Sequence, residues 1–390
     1  MSAPRLVVTP YTPTATPTHG HGVYLRGLLR AMVQKAPLIV VHPADGPIDP
    51  HVERHAVEIA TFAPARQGFD RVRDIRAIAT GRMLRTAAFD LDEIRQTVRL
   101  LVEEHGVRTV WAEGIELGDV AATAPTPAAR LVVIHEAARF SSGRVARGLT
   151  DRIVQVLDRS ATRRQERRVT TRVDAVVAFT PRDAQAIDHR RASPIHVVPL
   201  GTDLPVDALD PEGVEGRVVF VGNFRHRPNV DAAERLVNDI APILRGRLPD
   251  VEIRIVGANP PPGIVALVGP GVTVTGYVDD IAGELDRAAV VVAPIDRGGG
   301  TRIKVLEALA AGKAVVASPM AIEGLSGNVV EALIVAEDDA AFADALERLL
   351  LDRHRRRALA VAARVWAERT RSWSTVAEAH LDLHRKVARR

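Results

Sequence analysis

The segment VVVAPIDRGGGTRIKVLEALAAGKAVVA, residues 290–317, holds a β-branched run, a turn of three glycines, an amphipathic helical pattern and a second apolar run. Short apolar runs joined by a helix predict a strand–helix–strand unit of a parallel sheet. Glycines at such a turn let backbone amides approach an anion, and the helix start adds unpaired amides and a positive dipole end. The segment therefore predicts an anion-binding turn in a parallel α/β fold.

The same alternation runs along the rest of the chain. Strands are predicted at residues 5–9, 38–42, 109–111, 131–134, 175–179 and 195–199, and helices at 24–35, 91–105 and 145–169. Further strands are predicted at 217–221, 252–256, 272–275, 290–294, 314–317 and 333–335, and helices at 231–244, 281–288, 302–311, 339–351 and 356–388.

A linker is predicted at residues 201–216, GTDLPVDALDPEGVEG, because this stretch lacks periodicity. We predict doubly wound α/β domains at 1–205 and 206–365, with a last helical segment, 366–390, packing on the first.

Composition narrows the class of protein. The 390 residues are 46% hydrophobic and 26% charged, with a net charge of +4 and no cysteine. No apolar run is long enough to span a bilayer, and the first residues do not have a secretory signal pattern, so we predict a cytoplasmic protein. Aromatic residues make up only 4% and do not interleave with the basic runs, which argues against a nucleic acid partner.

Arginine clusters at residues 163–168, 353–357 and the C-terminal tail leave two interpretations open. They fit solvated helix faces, and they also fit peripheral contact with an acidic surface such as lipid headgroups. The basic segment 66–85 allows the same two interpretations.

The helix after the three glycines begins with two cations, Arg302 and Lys304. Cations are normally unfavourable at a helix N-terminus, and a bound diphosphate would compensate them. Glu307 follows Lys304 by three residues on the same helix face, where a carboxylate suits the vicinal hydroxyls of a ribose. The pattern predicts a nucleoside diphosphate site, with amides from Gly298, Gly299, Gly300 and Thr301. A flexible turn followed by a surface helix with a Lys–Glu pair is the alternative.

These motifs resemble glycosyltransferase family 4, the retaining enzymes of the GT-B fold among the glycosyl transferases group 1. GGGTRIKVLEALAAGKAVVAS, residues 298–318, resembles the donor-binding motif of the family. VVPLGTD (197–203), VVFVGNFRHRPNVDA (218–232) and RSWSTVAEAHLDLH (371–384) resemble further segments of it. The resemblance implies two Rossmann-like domains facing each other across a cleft, the first for the acceptor and the second for the nucleotide sugar, with the last helix crossing back.

The resemblance implies an activity and its residues. A sugar would pass from a nucleoside diphosphate sugar to a polysaccharide, lipid carrier or small natural product, with no cofactor and no required metal. His135 in VVIHEAARF would face the transferred sugar, with Lys304 and Arg302 on the leaving diphosphate. The remaining donor-binding candidates are Gly20 and Gly22 in THGHG, one of Arg225 or Arg227, the backbone of Gly276, Tyr277 and Val278, and Glu307. Gly299 stands where the family usually has the first of two glutamates, which leaves the sugar open.

Several of these residues have plainer interpretations. His135 fits a hydrogen-bonded structural histidine equally well, and His19 with His21 could be metal ligands or ordinary loop residues. The DxD of Asp90 and Asp92 precedes a helical pattern, so we interpret it as a helix start. Thr180-Pro181 with Asp183 reads as a helix cap.

Other functions on the same plan also stay open. An epimerase would convert the nucleotide sugar without an acceptor. A phosphorylase would hold pyridoxal phosphate on Lys304 or Lys313. A glycan-binding homologue that has lost activity is a third possibility, which Gly299 suggests and Lys304 with Glu307 oppose.

Overall fold

The computed structural model describes residues 3–17, 20–65, 71–80, 82–140, 149–187, 193–297, 303–325 and 328–389. The chain forms two compact units, Met1–Gly201 with Trp373–Arg390, and Thr202–Ser372. The sequence placed these boundaries at 205/206 and 365/366. Each unit has its own parallel sheet and its own helices.

The first unit has a seven-stranded sheet. Its strands are β1 (Arg5–Val8), β2 (Leu38–Pro43), β3 (Glu58–Phe62), β4 (Thr109–Glu113), β5 (Ala129–Ile134), β6 (Ala175–Ala178) and β7 (Ile195–Val197). The strand order is β3-β2-β1-β4-β5-β6-β7, and every pair is parallel. Leu6 of β1 sits in register with Ile39 of β2 and Val110 of β4. The inner strands are mostly apolar because helices bury both faces of the sheet.

The helices of the first unit connect these strands. They are α1 (Gly20–Val33), α2 (Pro50–His55), α3 (Arg71–Ala79), α4 (Leu84–Ala87), α5 (Leu91–His105), α6 (Gly118–Ala122), α7 (Leu149–Thr170) and α8 (Pro181–Ala186), with a 3₁₀ turn at Ile115–Leu117. Asp90 caps α5 by accepting from the amides of Asp92 and Glu93, so the helix-start interpretation of the DxD is confirmed. Thr180 likewise caps α8 through the amide of Asp183, as predicted.

The second unit has a six-stranded sheet. Its strands are β8 (Arg217–Val221), β9 (Glu252–Val256), β10 (Val272–Val274), β11 (Val290–Ala293), β12 (Val315–Ala317) and β13 (Ile334–Val335). The order is β10-β9-β8-β11-β12-β13, again with parallel pairs throughout. The chain reverses its winding direction between β8 and β11. In open parallel sheets, ligands bind beyond the carboxyl ends of the strands at such a switch point.

The second unit also carries most of the remaining helices. They are α9 (Arg227–Arg235), α10 (Ala241–Arg245), α11 (Pro262–Val265), α12 (Ile281–Asp286), α13 (Ile303–Ala310), α14 (Asp339–Leu351) and α15 (Arg353–Arg371). A π-helical turn, Leu236–Ile240, joins α9 to α10, and 3₁₀ turns lie at Pro319–Ile322 and Val329–Glu331. The described part of α13 begins at Ile303, directly after residues 298–302, which lie outside the described ranges.

The last helix, α16 (Trp373–Val387), packs on α1 in the first unit. Trp373 fills a slot made by two glycines: a Cβ on Gly27 would lie 2.0 Å from its indole, and one on Gly201 would lie 2.4 Å away. The predicted fold class, two doubly wound domains with the last helix returning to the first, is confirmed.

The structure differs from the sequence prediction in the last helical segment and in one strand of the first sheet. A single helix over residues 356–388 is wrong, because Ser372 adopts φ −59° and ψ 143° and separates α15 from α16. Strand β3 was not predicted, since the charged Glu58 and polar Thr61 interrupt its apolar pattern. In the described parts of the chain, no helix is both long and apolar enough to cross a membrane.

Candidate functional site

The switch point of the second sheet brings two loops together. One follows β8 and contains Asn223, Arg225 and the start of α9, and the other follows β11 and leads to α13. Lys304, in the first described turn of α13, donates from Nζ to Asn229 Oδ1. Asn229 is buried, and its amide nitrogen donates to the Asn223 carbonyl at 2.7 Å. The cation is thus held at the carboxyl ends of β8 and β11.

An aromatic ring supports the same cation. The Lys304 Nζ lies 5.3 Å from the centroid of the Phe220 ring, within the range of a cation–π contact. Phe220 belongs to β8, and Asn229 lies at the start of α9, after the loop that follows β8. Both contacts of Lys304 therefore come from the same side, the end of β8 and the segment after it. A phosphate oxygen would be a stronger partner than an amide oxygen, because both groups would be charged.

Glu307 lies one turn further along α13 and is half-buried. Among the described residues it has no hydrogen bond or ion pair. Burial raises its pKa to about 7, and Asp203 adds to the rise while Lys304 opposes it. A half-buried carboxyl group without hydrogen-bond donors is costly to ionise, and the described residues provide none for Glu307.

The structure separates the two arginines that the sequence left as alternatives. Arg227 is exposed and turns to its own helix, with Nε 2.5 Å from Asp231 Oδ1 and Nη2 3.6 Å from Glu234. The Arg225 guanidinium is exposed and has no hydrogen bond or ion pair with any described residue. Arg225 is therefore the arginine of this loop that has no competing carboxylate.

Glycines line the carboxyl ends of β8, β9 and β10. A Cβ on Gly257, which has φ +146°, would lie 1.8 Å from the carbonyl oxygen of Gly222, so the end of β9 does not tolerate a side chain at this position. The Gly257 amide donates to the carbonyl of Gly276 at 3.0 Å, and Gly276 has φ +71°. Tyr277 is exposed and Val278 is half-buried beside it. The segment predicted to bind the base, Gly276 to Val278, therefore lies next to the strand ends at which the backbone of Gly222 and Gly257 is closely packed.

The predicted phosphate contacts of the turn itself lie outside the described residues. These are Gly298, Gly299, Gly300, Thr301 and Arg302. Their roles stay predictions from the sequence.

The first unit places His135 directly after β5. Its Nε2 lies 3.1 Å from Oε2 of Glu113, the last residue of β4. Glu113 is fully buried, and its other oxygen accepts from Trp111 Nε1 at 2.9 Å and from the Tyr24 hydroxyl at 3.4 Å. Because the carboxylate accepts the Nε2 hydrogen, Nδ1 of His135 is left for another partner.

Sequence reasoning missed Glu113. The available signal was an ionisable residue at the end of the apolar run TVWA, the same signal that drew attention to His135.

Aromatic rings fix the orientation of His135. His21 stacks on it with centroids 4.7 Å apart, Phe179 stacks at 5.2 Å, and Tyr24 meets it edge-on at 5.6 Å. The structure also corrects the loop predicted at THGHG, because α1 begins at Gly20 and contains Gly22 in its first turn. Among the predicted residues, Gly20, Gly22 and His135 therefore share the first unit.

The metal interpretation of His19 and His21 finds no support in the described residues. His19 is outside the described ranges, and no group of three histidine or acidic side chains within those ranges is arranged to hold a metal ion. Whether the reaction needs a metal stays a prediction from the sequence.

Comparison with known proteins identifies the class. The two parallel sheets, the strand reversal and the returning helix define an α/β protein of the GT-B fold. Residues 215–352 match the sequence model of the family Glycosyl transferases group 1. The second unit therefore carries a group 1 glycosyltransferase domain, and the predicted enzyme class, a nucleotide-sugar-dependent glycosyltransferase, is confirmed. No curated protein matches the chain.

Solved structures support the fold over the whole chain. Sucrose-phosphate synthase from Thermosynechococcus elongatus is 18% identical with a TM-score of 0.68, covering 99% of both chains. The UDP-forming α,α-trehalose-phosphate synthase from Burkholderia xenovorans is 13% identical with a TM-score of 0.61, covering 100% of both. HepE from Anabaena, solved with UDP and glucose, is 15% identical with a TM-score of 0.60, covering 97% of this chain and 98% of its own. At these identities the likeness concerns the fold.

Proposed function

We propose that this protein is a retaining glycosyltransferase of family 4 that transfers a sugar from a nucleoside diphosphate sugar to an acceptor. The observation that carries the proposal is the pairing, one helical turn apart at the switch point, of a held cation with a carboxyl group that has no hydrogen-bond or ion-pair partner among the described residues. Lys304 suits a diphosphate, and Glu307 suits the two ribose hydroxyls. HepE, which shares the fold, was solved with UDP and glucose.

The proposed reaction breaks the bond between the anomeric carbon and the donor phosphate oxygen. Negative charge then builds on the leaving diphosphate, and the main task of the enzyme is to stabilise it. Lys304 and Arg225 supply charge for this, together with Arg302 and the amides of residues 298–301 as predicted from the sequence. The acceptor oxygen bonds to the anomeric carbon on the same face, and its proton passes to a donor phosphate oxygen.

His135 contacts the transferred sugar in this proposal. Glu113 acts as a positioning residue, since it binds Nε2 and directs Nδ1 away from itself. A hydroxyl of the sugar is a suitable partner for Nδ1. The proposed acceptor is a polysaccharide, a lipid carrier or a small natural product.

The proposal is tested with a panel of nucleotide sugars. We expect one or more of them, and the matching nucleoside diphosphate, to raise the melting temperature of the protein by ligand linkage. Transfer to an acceptor with that donor, followed by proton NMR of the new anomeric centre, should show the configuration of the donor. A panel in which no nucleotide stabilises the protein would reject the donor site, and an inverted product would reject retention.

Of the two lysines that could hold pyridoxal phosphate in a phosphorylase, Lys313 is poorly suited to that role. Lys313 is buried, and its Nζ donates to the carbonyl oxygens of Asp210 and, at 3.2 Å, Asp286. Burial lowers its pKa to about 8. These contacts tie the linker to α12, which explains Lys313 by packing alone.

We further propose peripheral contact with an anionic membrane surface through one face of α7. From Ile153 to Arg167, the exposed residues of α7 are three aliphatic ones (Ile153 52%, Val156 61% and Leu157 41% exposed) and four arginines (Arg159, Arg163, Arg164 and Arg167). No exposed carboxylate interrupts this face. Apolar and basic residues side by side suit an interface of acyl chains and anionic headgroups.

The other basic segments give less support for a membrane contact. Arg353 and Arg357 form ion pairs with Glu212, and Arg356 is buried. The predicted segment 66–85 is described only in part, with α3 and α4 as short helices.

Vesicle sedimentation tests the membrane proposal. We expect Val156→Ser/Arg163→Gln/Arg164→Gln to reduce binding to vesicles containing phosphatidylglycerol by about thirtyfold, since each of the two arginines near such a surface contributes about 1 kcal/mol. Arg353→Gln/Arg357→Gln removes two charges from the paired cluster and should bind as the unaltered protein does. Equal binding by all three proteins, or none, would reject the α7 face. The cytoplasmic location stays a prediction of the sequence.

A further inference from the structure

A hollow in the helical layer of the first unit is lined mainly by arginine. It has a volume of about 260 Å³ and lies among α3, α5, α6 and α7. Its lining residues are Thr80, Arg82, Arg95, Asp119, Arg168 and Arg172. Four positive charges therefore share this hollow with a single carboxylate.

That carboxylate is already bound. Arg168 reaches Asp119 with both Nε, at 3.1 Å, and Nη2, at 2.6 Å, so the guanidinium binds both carboxylate oxygens in a bidentate pair. Asp119 is nearly fully buried, so this pair is well fixed. It neutralises one of the four arginines and leaves three.

The other three arginines are poorly compensated. Arg82 and Arg172 have no side-chain hydrogen bond or ion pair with any described residue. Arg95 contacts Asp92 at 2.8 Å, but Asp92 is 92% exposed, and an ion pair so open to water contributes little. The Nε of Arg95 is buried and has no hydrogen-bond partner in the described part of the chain. A buried N–H without a hydrogen-bond partner is energetically unfavourable.

We propose that this hollow binds the phosphoryl group of a small anionic ligand. A phosphoryl group carries close to two negative charges at neutral pH and presents three acceptor oxygens. Planar guanidinium groups match that arrangement better than any other side chain. An oxyanion here would accept from the Arg95 Nε and compensate Arg82 and Arg172.

The hollow is distinct from the proposed nucleotide site. Its residues belong to the helical layer of the first unit, whereas Lys304, Glu307 and Arg225 lie at the strand ends of the second. It also does not include His135 or Glu113. The inference goes beyond the proposed transfer reaction and does not depend on it.

Calorimetric titration of the full chain in low-salt buffer tests the proposal, with inorganic phosphate and glycerol 3-phosphate as probes and UDP present throughout. We expect one probe molecule to bind per chain. Arg82→Gln/Arg172→Gln should weaken that binding by about tenfold or more, because the variant loses two cationic hydrogen-bond donors to the phosphoryl group. The matched control is Arg99→Gln/Arg108→Gln, two exposed arginines of the same unit that do not line the hollow. The control should bind as the unaltered protein does.

A vesicle arm identifies the source of the phosphoryl group. Binding to free phosphate or glycerol 3-phosphate assigns a small soluble ligand. Binding that depends on Arg82 and Arg172 and requires phosphatidic acid in phosphatidylcholine vesicles assigns a lipid headgroup. Equal affinity of the hollow variant and its control, or no binding of any probe, would overturn the proposal. Stabilisation by UDP is read separately and reports only on the nucleotide site.

Discussion

Lys304→Ala should lower the turnover of sugar transfer by about 10²–10³-fold, the range seen when one preorganised group that stabilises a developing oxyanion is removed. The side chain is held by Asn229 and stacked over Phe220 before any ligand arrives, so it needs little reorganisation in the reaction. Its removal leaves the charge of the leaving diphosphate to Arg225 and to groups predicted from the sequence. The measurement is single-turnover transfer with a saturating donor.

Two other variants show whether the loss is specific to the site. Lys386→Ala removes an exposed lysine of α16 and should leave transfer unchanged. His135→Ala should reduce transfer while UDP still stabilises the protein, because His135 lies in the other unit. Transfer by Lys304→Ala at the unaltered rate would contradict the assigned role.

Glu307→Gln should change stability and nucleotide binding in opposite directions. The pKa of Glu307 rises from the ordinary 4.5 to about 7 in the folded protein, chiefly through burial. Its contribution to stability is complete below pH 4.5 and is lost as the pH rises through 7, because the folded state resists ionisation. At pH 8 the ionised carboxylate costs up to about 3 kcal/mol, at 1.36 kcal/mol per pKa unit.

The amide cannot ionise, so the variant should be more stable than the unaltered protein at pH 8 and similar to it at pH 5. Urea unfolding at the two pH values measures this difference. The same variant should bind UDP about tenfold or more weakly, since a neutral amide has one acceptor oxygen where the carboxylate has two. A loss of stability at pH 8 with unchanged UDP affinity would make Glu307 a structural residue.

The sequence predicted the sheets well because their strands are nearly uniform apolar runs. β5, ARLVVI, and β11, VVVA, need no tertiary information to be read as buried strands. β3 was missed because its register with β2 depends on pairing across the sheet and its own sequence, EIATF, is mixed. The break at Ser372 was missed because no proline or glycine marks it; the anchoring of Trp373 against two glycines accompanies the break.

The residues of the candidate site likewise fall into those that local sequence predicts and those that depend on the fold. Lys304 and Glu307 could be proposed from the sequence because their spacing on one helix is local. Glu113, which binds His135 from a neighbouring strand, depends on the order of strands in the sheet. The choice between Arg225 and Arg227 depends on the carboxylates of α9, which capture one of them. The arginines of the hollow come from three separate segments, around Arg82, Arg95 and Arg168 with Arg172, so no short sequence window contains them.

The central claim is that a diphosphate binds where Lys304 is held at the switch point of the second sheet. A crystal structure of the protein with UDP tests it most directly. The account predicts phosphate oxygens within hydrogen-bond distance of the Lys304 Nζ and both ribose hydroxyls on Glu307. UDP bound elsewhere, with Lys304 still on Asn229 and Glu307 without a ligand, would contradict it.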